Sequence, residues 1–186
     1  MKDTAVLKRH TLSVLVENSA GVLSQVSRLF SRKGYNIESL AVGTTDNPTI
    51  SRITIEVISD DMQIRQIINQ LQKQFAVYSV QLLDPENSIR RELVMIKVRA
   101  EERSIRTEII QLANIFRAAI LDVSPASLTL AVIGEESKNE ALEQLMEEFG
   151  ILELVRTGVT ALARGQYTIS DERKETTEFN LGKHAL

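Results

Sequence analysis

The sequence predicts an α+β protein of two successive βαββαβ modules, each an antiparallel sheet with both helices on one face. Three observations lead there. Apolar residues first alternate and then recur at helical spacing, in the same order twice along the chain. A polar break containing a proline, Asp84-Pro85-Glu86-Asn87-Ser88, separates the two rounds. The 186 residues are enough for two small modules of under about a hundred residues each.

In the first module, Thr11 to Val16 alternate and place Leu12, Val14 and Val16 on one face of a strand. The run stops at Glu17-Asn18-Ser19-Ala20-Gly21. Val22, Val26, Leu29 and Phe30 then recur as a helix stripe that ends at Lys33-Gly34, a basic last turn with a glycine stop. Strands are expected over Asn36 to Gly43 and Ile50 to Ile58, joined by the polar turn Thr44 to Pro48. Asp60 with Gln63 matches a capping box ahead of the stripe Ile64, Ile67, Ile68 and Leu71, and Val77 to Leu83 return as a strand.

The second module repeats the order with little repeat of sequence. Leu93 to Val98 reads as a buried strand, and Ile105, Ile109, Leu112 and Phe116 as a helix stripe. Ile120 to Val123 and Leu128 to Ile133 flank the turn Ser124 to Ser127. Ser137 with Glu140 matches a second capping box, before Leu142, Leu145, Met146 and Phe149; Gly150 stops that helix and Ile151 to Val155 extend again. The modules are therefore expected over residues 9–84 and 89–165, each ferredoxin-like in topology. Residues 166–186 form a polar tail with no assigned structure, in which Phe179 and Leu181 are the apolar exceptions. Right-handed crossovers put both helices of such a unit on one side of its sheet. The open face and the unpaired strand edges favour oligomers.

Composition excludes several functions. With 43% hydrophobic and 25% charged residues a packed core is expected, not disorder. No apolar run reaches the ~20 residues that span a bilayer, and Met1 to His10 lack the apolar core of a signal peptide, so a cytoplasmic location is expected. The absence of cysteine removes thiolate chemistry, and a net charge of −3 offers nucleic acid and anionic lipid no general attraction. No phosphate-loop, dinucleotide, hydrolase-elbow or zincin motif occurs. His10 and His184 stand outside any base-catalysis pattern, and each reads as a solvated surface residue. No catalytic site, metal site or cofactor is expected in the chain.

The loop Asn18 to Gly21 is the one candidate for binding. It leads into a helix, whose free N–H groups and positive dipole end attract an anion. Gly21 removes a side chain where a carboxylate would approach, and Asn18 offers a donor and an acceptor, a combination suited to an amino acid. The same residues serve equally as a helix cap and an easy turn, and their spacing does not choose between the two.

The segment Leu12-Ser13-Val14-Leu15-Val16-Glu17-Asn18 with Gly21-Val22-Leu23 resembles the first strand and loop of an ACT domain. Phe30-Ser31-Arg32-Lys33-Gly34-Tyr35-Asn36-Ile37-Glu38-Ser39-Leu40 and Thr49-Ile50-Ser51-Arg52-Ile53-Thr54 are similar to the small regulatory subunits of acetolactate synthase, also called acetohydroxyacid synthase. Arg91-Glu92-Leu93, Ile115-Phe116-Arg117, Ile120-Leu121-Asp122-Val123, Arg156-Thr157-Gly158 and Ala163-Arg164-Gly165 extend the likeness through the second module, so that it covers Lys8 to Gly165.

The resemblance implies a partner, the large catalytic subunit, which uses thiamine diphosphate to condense pyruvate with a second 2-oxo acid. It implies activation of that subunit and feedback inhibition by branched-chain amino acids, chiefly valine and otherwise leucine or isoleucine, in the biosynthesis of those amino acids. It further implies a homodimer through the ACT domain, with the effector between two such domains. Asn18 and the backbone of Ala20, Gly21 and Val22 would hold the effector's polar end, and Asn36 and Ile37 would come from the other protomer, Ile37 and Val22 lining a small apolar pocket. Ala20 stands where relatives often have serine or proline, a difference that a backbone N–H role tolerates. A stand-alone amino-acid sensor acting on another enzyme or a transcription factor is the alternative, and no output domain for it is visible in the sequence.

Overall fold

The computed structural model describes residues 6–166, 168 and 169. They form two compact units: one runs up to Ile89 and includes the described residues from Ala161 on, and the other is Arg90–Thr160.

The first unit has the order β1 (Lys8–Glu17), α1 (Val22–Lys33), β2 (Ser39–Thr44), β3 (Ile50–Ser59), α2 (Asp61–Gln72) and β4 (Val77–Leu83). Its sheet runs β2-β3-β1-β4 with every pair antiparallel. Period-two alternation sends Leu12, Val14 and Val16 of β1 and Ile53, Ile55 and Val57 of β3 to the helical side, where they meet Val26, Leu29 and Phe30 of α1 and Ile64, Ile67 and Leu71 of α2. Local chemistry sets the helix ends. Gly34, at φ 71°, lets the Gly34 N–H reach the Ser31 carbonyl at 3.2 Å and the Tyr35 N–H reach that of Phe30 at 3.1 Å. At α2 the expected capping box is present: the Asp60 carboxylate accepts from the Gln63 N–H at 2.7 Å, and the Gln63 side chain accepts from the Asp60 N–H at 3.2 Å.

Three details differ from the sequence reading. The second strand begins at Ser39, not Asn36, because Tyr35 and Ile37 turn in to pack on the core before pairing starts at Ser39 opposite Glu56. On the sheet face away from the helices, Thr11, Ser13, Thr54 and Glu56 are buried, and Glu56 accepts from Thr11 Oγ1 at 3.0 Å and Arg9 Nη1 at 3.2 Å. Ile169, in the segment expected to be a polar tail without structure, is buried in this unit, and its carbonyl accepts from Ser79 Oγ at 3.2 Å. Phe179, Leu181 and His184 lie outside the described residues.

The second unit contains most of β5 (Ser88–Arg99), then α3 (Arg103–Phe116), β6 (Ala119–Val123), β7 (Ser127–Gly134), α4 (Glu136–Glu147), β8 (Ile151–Arg156) and the start of β9 (Thr160–Ala163). Its sheet runs β6-β7-β5-β8, and β9 also pairs with β5. Val94, Ile96, Val98, Leu128, Leu130 and Val132 face Ile109, Ala113, Leu142 and Met146 to make a second core. The capping box expected at Ser137 and Glu140 is not formed. The helix starts at Glu136 with Glu135 as its N-cap and no side-chain cap. Asn139 determines this start: it is fully buried, its amide donates to the Glu92 carbonyl at 3.1 Å, and its N–H bonds to the Glu135 carbonyl at 3.1 Å.

Candidate ligand-binding site

The loop after β1 is tied down at both sides. The Glu17 N–H donates to the Ala76 carbonyl at 2.8 Å, and the Asn18 N–H to the Thr49 carbonyl at 2.8 Å. The Asn18 side-chain amide donates to the Pro48 carbonyl at 2.8 Å. Asn18 thereby fastens the loop to the β2–β3 turn, and its Oδ1 is left with acceptor capacity. Sequence reading did not foresee Pro48, Thr49 and Ala76 as supports, since these bonds join residues some thirty or more positions apart.

Nothing caps α1 from a side chain, and its first turn holds no acidic residue. Asn18 and Ser19 therefore do not cap α1 through their side chains, whereas Gly21 does ease the turn, with its left-handed backbone. Gly21 sits at the N-cap with φ 90°, and a Cβ placed there would meet nothing within 4 Å. Open space adjoins a helix N-terminus whose first N–H groups lack a side-chain partner, an arrangement that attracts a carboxylate. Asn18, Ser19, Ala20 and Gly21 are exposed. Val22 contributes only its backbone to the loop, because its side chain belongs to the core at 5% exposure.

The other two candidate residues lie elsewhere. Asn36 is exposed and donates to Glu38 Oε1 at 2.6 Å, and Ile37 is half-buried against the core. Register fixes their distance from the loop. Val16 of β1 and Thr44 of β2 both lie opposite Ser51, whereas Ser39 of β2 lies opposite Glu56. Asn18 and Asn36 thus stand at opposite ends of the sheet, separated by the five-residue step from Ser51 to Glu56, about 17 Å of strand. One chain brings Asn18, Ala20, Gly21 and Val22 together and keeps Asn36 and Ile37 apart from them.

Other polar groups have structural partners. His10 on β1 places its Nε2 3.2 Å from the carbonyl of Ser59 on β3. Arg156 bridges Glu92, at 3.1 Å, and Glu143, while the Thr157 N–H reaches the Leu93 carbonyl at 3.1 Å. The phrases Arg91-Glu92-Leu93 and Arg156-Thr157, distant in sequence, therefore clamp adjacent strands. Lys97 Nζ bonds to Glu153 Oε2 at 2.8 Å, and that bond raises the lysine pKa and lowers the glutamate pKa. Among the described residues no group of three or more His, Cys, Asp or Glu is placed to hold a metal ion, and no helix is long and apolar enough to cross a membrane.

The fold of the first unit, with its glycine-led loop into α1, is that of an ACT domain: residues 12–79 match the model of the acetohydroxyacid synthase small subunit-like ACT domain. Residues 91–165 match the model for the small subunit of acetolactate synthase. The chain belongs to the family of acetolactate synthase small subunits. It is 47% identical over 167 residues to the acetolactate synthase small subunit of Mycobacterium leprae, covering 90% of this chain and 98% of that one. It is 40% identical over 169 residues to the small subunit of Aquifex aeolicus, covering 91% and 88%. The crystal structure of the small subunit from Thermotoga maritima aligns with a TM-score of 0.81 at 40% identity, covering 86% of this chain and 99% of that chain.

Proposed function

We propose that this chain is the regulatory subunit that binds the thiamine-diphosphate-dependent catalytic subunit of acetolactate synthase, raises its activity and makes it sensitive to valine. The uncapped start of α1 beside Asn18 carries the sensing half of this reading. The effector carboxylate takes the N–H groups of Ala20 and Gly21, and that of Val22 in exchange for its 3.5 Å bond to the Ser19 carbonyl, with the helix dipole behind them, and its ammonium donates to Asn18 Oδ1. The Asn18 amide, already held by Pro48, sets the orientation of that oxygen.

Asn36 and Ile37 complete the site from a second copy. β2 is an edge strand, with Leu40 and Ala41 half-buried and Val42 half-exposed. Antiparallel pairing of two β2 edges about a twofold axis sets the Ser39 end of one protomer beside the Thr44 end of the other, which is the end that carries the Asn18 loop. A site shared in this way couples effector binding to dimer geometry, which is a route to regulation. Discrimination among valine, leucine and isoleucine is modest, since one methylene contributes only about 1–3 kcal/mol.

Mixing the purified chain with separately purified catalytic subunit tests the assignment. Co-elution and faster acetolactate formation are expected, with no acetolactate from the chain alone. Separate elution with an unchanged rate would overturn the assignment, and turnover by the chain alone would overturn its non-catalytic role.

A further inference from the structure

The helical side of the first unit carries a groove between α1 and α2 that the effector site does not use. One stretch has a cavity volume of about 360 Å³, lined by Arg28 and Arg32 of α1 and by Lys73 and Phe75 after α2. It continues past Gln70 and Lys73 into a second stretch of about 380 Å³ that includes Lys33. Four cations and no carboxylate line it, although the chain as a whole carries a net charge of −3. Among the described residues none of the four cations is in an ion pair.

Phe75 is 99% exposed. It is not loosely placed: the Val77 N–H closes a tight turn onto the Gln74 carbonyl at 3.1 Å, and Ala76, the next residue, is 7% exposed. The turn therefore aims an aromatic ring outward at one end of a cationic groove. Aromatic and arginine side chains grouped in this way are the usual anchors of a protein interface.

The groove also adjoins the effector loop. The Ala76 carbonyl accepts the Glu17 N–H at 2.8 Å, so Phe75 is one residue from a bond to the strand end that carries Asn18.

We propose that this groove docks an acidic surface segment of the acetolactate synthase catalytic subunit, with Phe75 entering an apolar pocket on that subunit and Arg28, Arg32, Lys33 and Lys73 pairing with its carboxylates. The inference rests on the partnership argued above and gives that partner's footprint. Charge complementarity selects the occupant: an acidic segment neutralises all four cations, and an aromatic anchor requires a partner with a hydrophobic recess. A docked segment would feel movement of the Glu17–Asn18 loop through Ala76, which places partner contact and effector contact on one short stretch of backbone.

The test compares the parent chain, Phe75→Ala and the double variant Arg28→Glu with Arg32→Glu. Each is titrated against the catalytic subunit at low and high salt, with thermal unfolding to check the fold. Phe75 is fully exposed and both arginines are exposed, so all three proteins should melt alike. Phe75→Ala is expected to weaken binding by about tenfold to a hundredfold. The charge reversal is expected to weaken it comparably at low salt and to flatten the salt dependence. Equal binding by parent and variants would overturn the groove as docking surface and leave the regulatory assignment standing. Failure of the parent itself to bind would overturn that assignment, and the inference with it. If the variants bind the catalytic subunit normally but lose a tripolyphosphate affinity that the parent shows, the groove is a small-anion site and the docking proposal falls.

Discussion

A site that needs two protomers predicts that two inactive variants restore each other when paired. Gly21→Asp destroys the loop half, because it adds a negative group where the effector carboxylate meets the start of α1. The left-handed conformation there, φ 90°, costs a non-glycine residue about 1–2 kcal/mol. The open space beside it means no clash is added. Asn36→Ala with Ile37→Ala destroys the strand half, and trimming a half-buried isoleucine removes up to about 2 kcal/mol of packing. Both costs lie below the stability of about 5–15 kcal/mol typical of a folded domain. Co-expression with two different affinity tags allows the mixed dimer to be purified. One of its two sites combines both defects, and the other combines two intact halves. Calorimetric titration should therefore find two valine molecules per parent dimer, none in either variant dimer and one in the mixed dimer. A site contained in one protomer would leave the mixed dimer with none. That result would refute the site shared between protomers, and full binding by either variant dimer would exclude the residues it alters from the site.

Three further outcomes are expected. Asn18→Ala removes the acceptor for the effector ammonium, and a lost bond to a charged group costs about 1.5–3 kcal/mol, so the valine affinity should fall roughly ten- to a hundredfold; an unchanged binding isotherm would exclude Asn18 from the site. Glu153 is held below the ordinary carboxylate range by its bond to Lys97, so the pair's small contribution is complete above the ordinary glutamate pKa and is lost as pH falls through the lowered one. NMR titration should show Glu153 returning to the ordinary range in Lys97→Ala, and no movement would mean that the pair does not persist in solution. At Gly134 an added Cβ would lie 2.6 Å from Asn139 Oδ1, inside a buried site whose amide is already bonded. Gly134→Ala should lower stability by about 1–3 kcal/mol in denaturant unfolding, and a neutral result would mean that Asn139 moves freely.

What could be read from the sequence was what neighbouring residues decide. The Asp60 and Gln63 box, the Gly34 stop and the alternation of Leu12, Val14 and Val16 all depend on contacts within a few positions, and all are present. Ser137 and Glu140 show the limit of such patterns: the spacing fits a cap, but the buried Asn139 starts the helix earlier by its bond to Glu92, forty-seven positions away. β9, only four residues long, is too short to display alternation. The strand expected at Asn36 began three residues late because the β2–β3 register and the inward packing of Ile37, not β propensity, determine its start. At the candidate site, Gly21 and Asn18 stood out by residue type alone. That the Asn18 amide faces Pro48 depends on a turn thirty residues away. The opposite ends occupied by Asn18 and Asn36 follow from strand register, which no local pattern encodes.

The most direct test of the regulatory account is a valine titration of acetolactate formation by the catalytic subunit, reconstituted in parallel with the parent chain and with Gly21→Asp. The account predicts that both chains raise the valine-free rate to a similar level, that valine suppresses the enzyme containing the parent, and that the enzyme containing Gly21→Asp holds its rate at concentrations that inhibit the other. Valine-insensitive activity with the parent chain, or loss of activation together with inhibition in Gly21→Asp, would contradict it.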